Sequence, residues 1–150
     1  MKKFSFSLER VLSYKEQTEQ NLRNEHGQAV RRVLKKEEEI NALEHTFAEY
    51  KNGREDLLKT LIPIDRMKNY EAYLSFLSEK IALEKRTLRQ LKKEEEEKRE
   101  AVIEAKKETS SIQMLKDKKK QEYTALMRKQ EEQAVEEFVS NRSFAVQRNG

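Results

Sequence analysis

One repeat and one proline between them leave this chain few folds. From Met67 to Gln133, positions recur in unbroken alternating steps of three and four: Met67, Tyr70, Leu74, Leu77, Ile81 and onward. Of these 20 positions 12 are apolar or aromatic, where the chain's 35% hydrophobic content would place about 7. That spacing puts one apolar seam along one helix, the signature of a coiled coil. Upstream a second seam takes in Leu8, Val11, Thr18, Leu22, Ala29, Val33, Lys36, Ile40, Leu43, Phe47, Tyr50, Arg54, Leu57 and Leu61. It contains one four-four step around Ala29 and Val33, which would locally unwind a supercoil. Between the seams stands Pro63, the sole proline. It cannot donate to a helix and pushes Ile62 away from helical angles, while Asp65 suits the cap of a new helix.

The spacing therefore predicts an all-α, antiparallel two-helix coiled-coil hairpin with an overhanging C-terminal helix. The first helix runs from about 7 to 60, with Ser7 as N-cap and Phe6 and Val11 as its staple. The turn spans about 61–65, the second helix about 65–139, and residues 140–150 form a frayed tail of the same single domain. Gly27 and Gly53 fall within helical pattern and are tolerated, with Asn52-Gly53 as a soft spot. A connection this short makes the helices antiparallel neighbours. Leu8 then pairs near Lys118, and helix beyond about Glu122 overhangs. Tyr123, Leu126, Met127, Val135, Phe138 and Val139 are left without a partner in the chain. The coil weakens at the polar seam pairs Glu95 with Lys98 and Lys116 with Lys119, and residues 92–100 are wholly charged.

Composition closes other routes. Charged residues make up 40% of the chain, against about 25% in a compact domain, so a single globular core is a poor fit. Full disorder fits no better, since the net charge is only +4 and apolar residues recur throughout. No apolar run reaches the roughly 18–20 residues of a membrane span, and no apolar stretch after Met1-Lys2-Lys3-Phe4 is long enough for a signal peptide. With no cysteine, thiolate chemistry and disulfides are excluded, and a cytoplasmic location is the default.

Catalysis needs groups that converge in a sheltered pocket. His26 and His45 lie 19 residues apart on one helix and cannot share a site; His45 with Glu49 offers only two ligands on an exposed face. No glycine-rich phosphate loop is present, and consecutive carboxylates at 94–97 point around the helix axis rather than together. The reading is a non-enzyme with no cofactor and no metal.

Three features suit binding. Beside the seam near the hairpin tip, Tyr73, Phe76 and Leu83 form a second stripe, with Tyr50 and Phe47 opposite. This is either a thicker apolar tip that locks the hairpin or a docking face, and the preference of Tyr and Phe for interfaces favours docking. Residues 101–130 hold eight basic and four acidic side chains, which accounts for the chain's surplus. Solvation or an acidic protein surface explains these lysines, among them Lys106, Lys107, Lys116, Lys118, Lys119 and Lys120; only Tyr123 interleaves with them, which argues against nucleic acid. Finally, Phe4, Phe6 and Leu8 lie beside the unpartnered apolar residues Leu126 and Phe138. A greasy end on a rod suits insertion into a cavity or ring; a frayed end or a homodimer contact is equally open.

The opening Phe4-Ser5-Phe6-Ser7-Leu8-Glu9-Arg10-Val11-Leu12, the segment Asn69-Tyr70-Glu71-Ala72-Tyr73-Leu74 and the late Glu131-Glu132-Gln133-Ala134-Val135-Glu136-Glu137-Phe138 resemble the flagellar export protein FliJ family over nearly the whole chain. The resemblance implies a stalk of the flagellar type III export apparatus, similar to the central stalk of rotary ATPases. Its implied partners are the export ATPase ring, the cytoplasmic domain of the export gate membrane protein, and export chaperones. No nucleic acid is implied. The protein would sit in the cytoplasm, peripheral at the face of the inner membrane through those partners only. The terminal half, with Phe4, Phe6, Leu8, Leu126 and Phe138, would enter the ring. The family's gate-contacting positions fall on Leu43, Tyr50, Tyr73 and Leu77, which keep apolar or aromatic character. Four more fall on Glu39, Thr46, Lys80 and Glu84, none with the family's side chain. A general coiled-coil chaperone or adaptor that holds export substrates is the alternative.

Overall fold

In a computed structural model, residues 2–148 are described, and they form two α-helices, α1 (Glu9–Leu58, 50 residues) and α2 (Ile64–Arg148, 85 residues), with no strand. The two helices pack against each other as a helical hairpin. Contacts divide the chain into two compact units. The turn unit is Gln20–Glu104; the terminal unit joins Met1–Glu19 to Ala105–Gly150.

In the turn unit, α1 ends by tightening. The amides of Lys59 and Thr60 donate to Asp56 and Leu57 carbonyls at 3.3 and 3.1 Å, and the Thr60 hydroxyl also donates to Leu57 at 3.0 Å. These bonds satisfy carbonyls that an open helix end leaves bare. Pro63 then sits at the head of α2. Its carbonyl accepts from the amides of Arg66 and Met67 at 3.1 and 3.3 Å, and its missing N–H costs nothing there. Asp65, expected as the cap, lies instead within the first turn of α2, where its charge favours the positive helix end. The connection uses neither a cis peptide nor a positive φ.

The turn unit buries Ala29, Ile40, Leu74 and Leu77, with Leu22, Val33, Leu43, Leu57, Ile81, Leu88 and Leu91 half-buried around them. Its antiparallel register is fixed by cross-helix pairs, from Arg54–Glu71 (3.0 Å) and Glu44–Lys85 (2.9 Å) to His26–Glu95 (2.8 Å) and Glu25–Lys98 (3.0 Å). Both interior glycines lie within α1. At Gly53 the Tyr70 ring lies against the helix, 3.8 Å from where a Cβ would stand, an ordinary contact distance.

The terminal unit buries Leu12 and Ala105 and is tied by Lys15–Glu108 (2.7 Å) and Glu9–Lys116 (2.9 Å). Its helix begins at Glu9, whose amide donates to the Phe6 carbonyl at 3.1 Å, two residues past the expected Ser7 cap. The seam needs correcting here. Leu12 is 2% exposed and Val11 41%, and Lys15 and Glu19 are half-buried. With His26 half-buried in the turn unit, α1 follows Leu12, Lys15, Glu19, Leu22, His26, Ala29 and Val33 in unbroken three-four steps. The expected four-four step is absent, because polar residues occupy the positions that an apolar count passes over.

The expected frayed tail also needs correcting. α2 remains helical through 140–148; Asn149 and Gly150, the end of that tail, lie outside the described residues. Every side chain from 128 to 148 is exposed.

Candidate partner-binding surfaces

In the turn unit, the seam and the second stripe combine into an aromatic ladder. The Tyr50 ring of α1 meets Tyr73 at 4.5 Å between centroids and Tyr70 at 5.8 Å; Tyr73 continues to Phe76 at 6.3 Å. The Lys80 ammonium lies 5.9 Å above Phe76, a cation–π contact. Tyr70 is half-buried against α1, but Tyr50, Tyr73 and Phe76 stay 40, 37 and 55% exposed. Leu83 farther along the stripe is exposed as well. These rings close the packing on one side and offer their other faces to solvent, the disposition that Tyr and Phe adopt at interfaces.

Next to the ladder runs a shallow groove lined by Glu39, Ala42, Leu43, Thr46, Lys80 and Glu84. Its floor is apolar and its rim charged. The Thr46 hydroxyl is spent on the Ala42 carbonyl (3.0 Å). Lys36 sits in the seam between Glu39 (2.8 Å) and Glu84 (2.5 Å). Hydrogen bonds to Glu39 first, and then to Glu84, raise the Lys36 pKa above that of a free lysine; the same ammonium holds Glu39 below the usual carboxylate value. The polar seam positions thus pair with each other across the helices.

The residues placed at the gate contact come together only in part. Leu43, Tyr50 and Tyr73 share this face with Glu39, Thr46, Lys80 and Glu84. Leu77 is 2% exposed, so it supports the face from beneath and presents no side chain to a partner. An apolar residue at a seam position cannot reveal from sequence whether it is covered.

A second polar layer lies farther from the turn. Glu95 accepts His26 Nε2 at 2.8 Å and Arg99 in two short bonds of 2.7 and 2.8 Å. These bonds, Arg99 before His26, hold its carboxyl below the usual range. Where a weakened coil was expected, the polar residues satisfy one another. His45 meets Glu49 at 3.0 Å on an exposed face. Among the described residues no cluster of His, Cys, Asp and Glu could hold a metal ion, and no helix is long and apolar enough to cross a membrane.

In the terminal unit, residues 2–7 run as a non-helical strap along α2. Phe4 packs on Tyr123 with centroids 5.6 Å apart, and the Tyr123 hydroxyl donates to the Lys2 carbonyl. Strap residues and α2 line a groove that includes Phe4, Phe6, Tyr123, Leu126 and Met127. Tyr123 and Met127, expected to lack partners, are half-buried beneath the strap. Extended chain advances about 3.3 Å per residue against 1.5 Å in a helix, so six strap residues reach well past the point that helical counting allows. Of the five residues placed at the ring contact, Phe4, Phe6, Leu8 and Leu126 lie at or near this groove. Phe138 stands apart, 66% exposed on bare helix. The lysines expected as a patch are partly engaged, Lys116 with Glu9 and Lys119 with Glu122.

The family model described as the flagellar FliJ protein matches residues 4–148. This chain belongs to the FliJ family. Neither a curated protein nor a solved structure matches it. Membership makes it a component of the flagellar export apparatus, from a family that is non-catalytic. The FliJ match spans the strap from Phe4 onward, the turn and both helices, so the aromatic residues of both surfaces lie within the matched residues.

Proposed function

We propose that this FliJ-family protein is a stalk: its terminal unit enters the export ATPase ring and promotes ring activity, and its turn unit engages the cytoplasmic domain of the export gate. The observation that carries the reading is the aromatic ladder of Tyr50, Tyr73 and Phe76, half-exposed beside the Leu43 groove. Strap residues Phe4 and Phe6, with Leu126 and Phe138 on α2, supply an apolar surface at the other unit, suited to a ring lined by apolar side chains. The protein acts in the cytoplasm, reaches the membrane only through these partners, and also handles export chaperones.

Binding experiments on the full chain test each half. Tyr73→Ala/Phe76→Ala should weaken capture of the gate's cytoplasmic domain by about tenfold or more, the effect of losing hot-spot aromatics, with ring binding intact. Phe4→Ala/Phe6→Ala/Leu8→Ala should do the converse, and lower the ring's ATPase stimulation. Unchanged ring binding by the triple variant rejects terminal insertion. The ladder also favours a second reading, a chaperone or adaptor that holds export substrates; loss of substrate holding by the ladder variant, with gate binding intact, would select it.

A further inference from the structure

The stretch of α2 from 128 to 148 is helical and exposed on every side, and its apolar residues other than Phe144 gather toward one side. Glu131, Val135, Phe138, Arg142 and Ala145 follow each other in steps of four and three, the spacing of one seam. Val135, Phe138, Val139 and Val146 keep 58–67% of their surface exposed. The strap does not reach this seam. The groove under the strap ends at Gln130, short of Glu131 along the helix, and every side chain from 131 to 148 is exposed.

The charges say what fits. Residues 131–137 carry four glutamates and no base, whereas 138–148 carry two arginines and no acid. Within the seam Glu131 and Arg142 have opposite sign, and Arg128 continues the line one step earlier. A parallel partner of the same sequence would set Glu131 against Glu131 and Arg142 against Arg142. An antiparallel one does the reverse: with residues i and j opposed so that Val135 faces Phe138, Glu131 necessarily faces Arg142, and Ala145 faces Arg128. By two-fold symmetry each pairing occurs twice.

We propose that this stretch of α2 is a self-recognition surface, whose occupant is the same stretch of a second copy of the chain, antiparallel and centred between Glu136 and Glu137. The proposal does not depend on the stalk reading, since it concerns the protein free of any ring.

Sedimentation of the full chain tests it. The weight-average mass of the wild type should rise from monomer toward dimer with concentration. Glu131→Arg and Arg142→Glu should each raise the dimer dissociation constant by about tenfold or more, because both symmetric contacts become repulsive. An equimolar mixture of the two single variants should dimerise again, since each then meets the other's opposite charges. The double variant E131R/R142E should dimerise like the wild type. These residues are exposed, and circular dichroism should show the variants as helical as the parent. A wild type that stays monomeric at all accessible concentrations overturns the proposal, as does a dimer that either single variant leaves unaltered. A dimer whose single variants weaken but whose mixture and double variant do not recover also overturns it.

Discussion

Leu12 and Val11 are neighbours of similar character, yet only Leu12 is covered, at 2% exposure against 41%. Leu12→Ala should therefore lower unfolding free energy by about 2 kcal/mol or more, and Val11→Ala should change it by less than about 0.5 kcal/mol; denaturant melts of the full chain compare them. The two glycines of α1 offer the opposite sign. A Cβ at Gly27 meets nothing within 4 Å, and one at Gly53 touches Tyr70 at an ordinary 3.8 Å. Each substitution to Ala should stabilise by about 0.5–1 kcal/mol, since helix interior glycine loses the most backbone freedom on folding. Glu95 sets a pH limit. Arg99 and His26 lower its carboxyl pKa in the folded state. Its contribution is thus complete above the unfolded carboxylate value of about 4.3, and is lost as pH falls through the lower folded value. Acid titration followed by circular dichroism should show a shallower loss of helix in Glu95→Gln. Lys36 has the reverse sign: its raised pKa holds its contribution at neutral pH and releases it only as pH climbs through that value.

At the scale of elements, α2 divides by what covers it. Up to Met127 its seam meets α1 or the strap; from 128 onward every side chain is exposed. An isolated helix of this length is marginal in water, because propagation must repay a costly nucleus without tertiary packing. Amide exchange in dilute protein should accordingly be slow around Leu74 and Leu77 and fastest from 128 to 148, and uniform protection along α2 would contradict this account. Helix type, the turn at Pro63 and the three-four seam of α2 as far as Lys116 were legible from sequence, since each rests on local chemistry and spacing; beyond it Lys119, Leu126, Gln130 and Gln133 are exposed, and Met127 is covered in place of Leu126. The seam of α1 was only partly legible. Lys15, Glu19 and His26 occupy core-facing positions through ion pairs or long aliphatic stems, which an apolar pattern cannot register.

Across the whole molecule, the two surfaces differ in construction. The turn unit presents aromatics fixed by packing and a charged rim. The terminal unit presents an extended strap and bare helix. Variants at Tyr73 and Phe76 should leave secondary structure and ring stimulation unaltered, and variants in the strap should leave gate binding unaltered. Loss of both functions from either set would point to one shared surface instead of two.

By itself the sequence determined that the chain is helical, that it reverses once at its only proline, that its two seams meet antiparallel, and that an apolar stretch beyond Glu122 exceeds what α1 can cover. Those are consequences of short-range geometry and of counting residues along two helices. Only the tertiary structure decided that Leu77 lies covered while Tyr73 does not, that Lys36 and Glu95 find opposite charges across the interface, and that the strap reaches Tyr123. Each of those depends on which side chain of one segment meets which of another, a relation that exists only once the segments are packed.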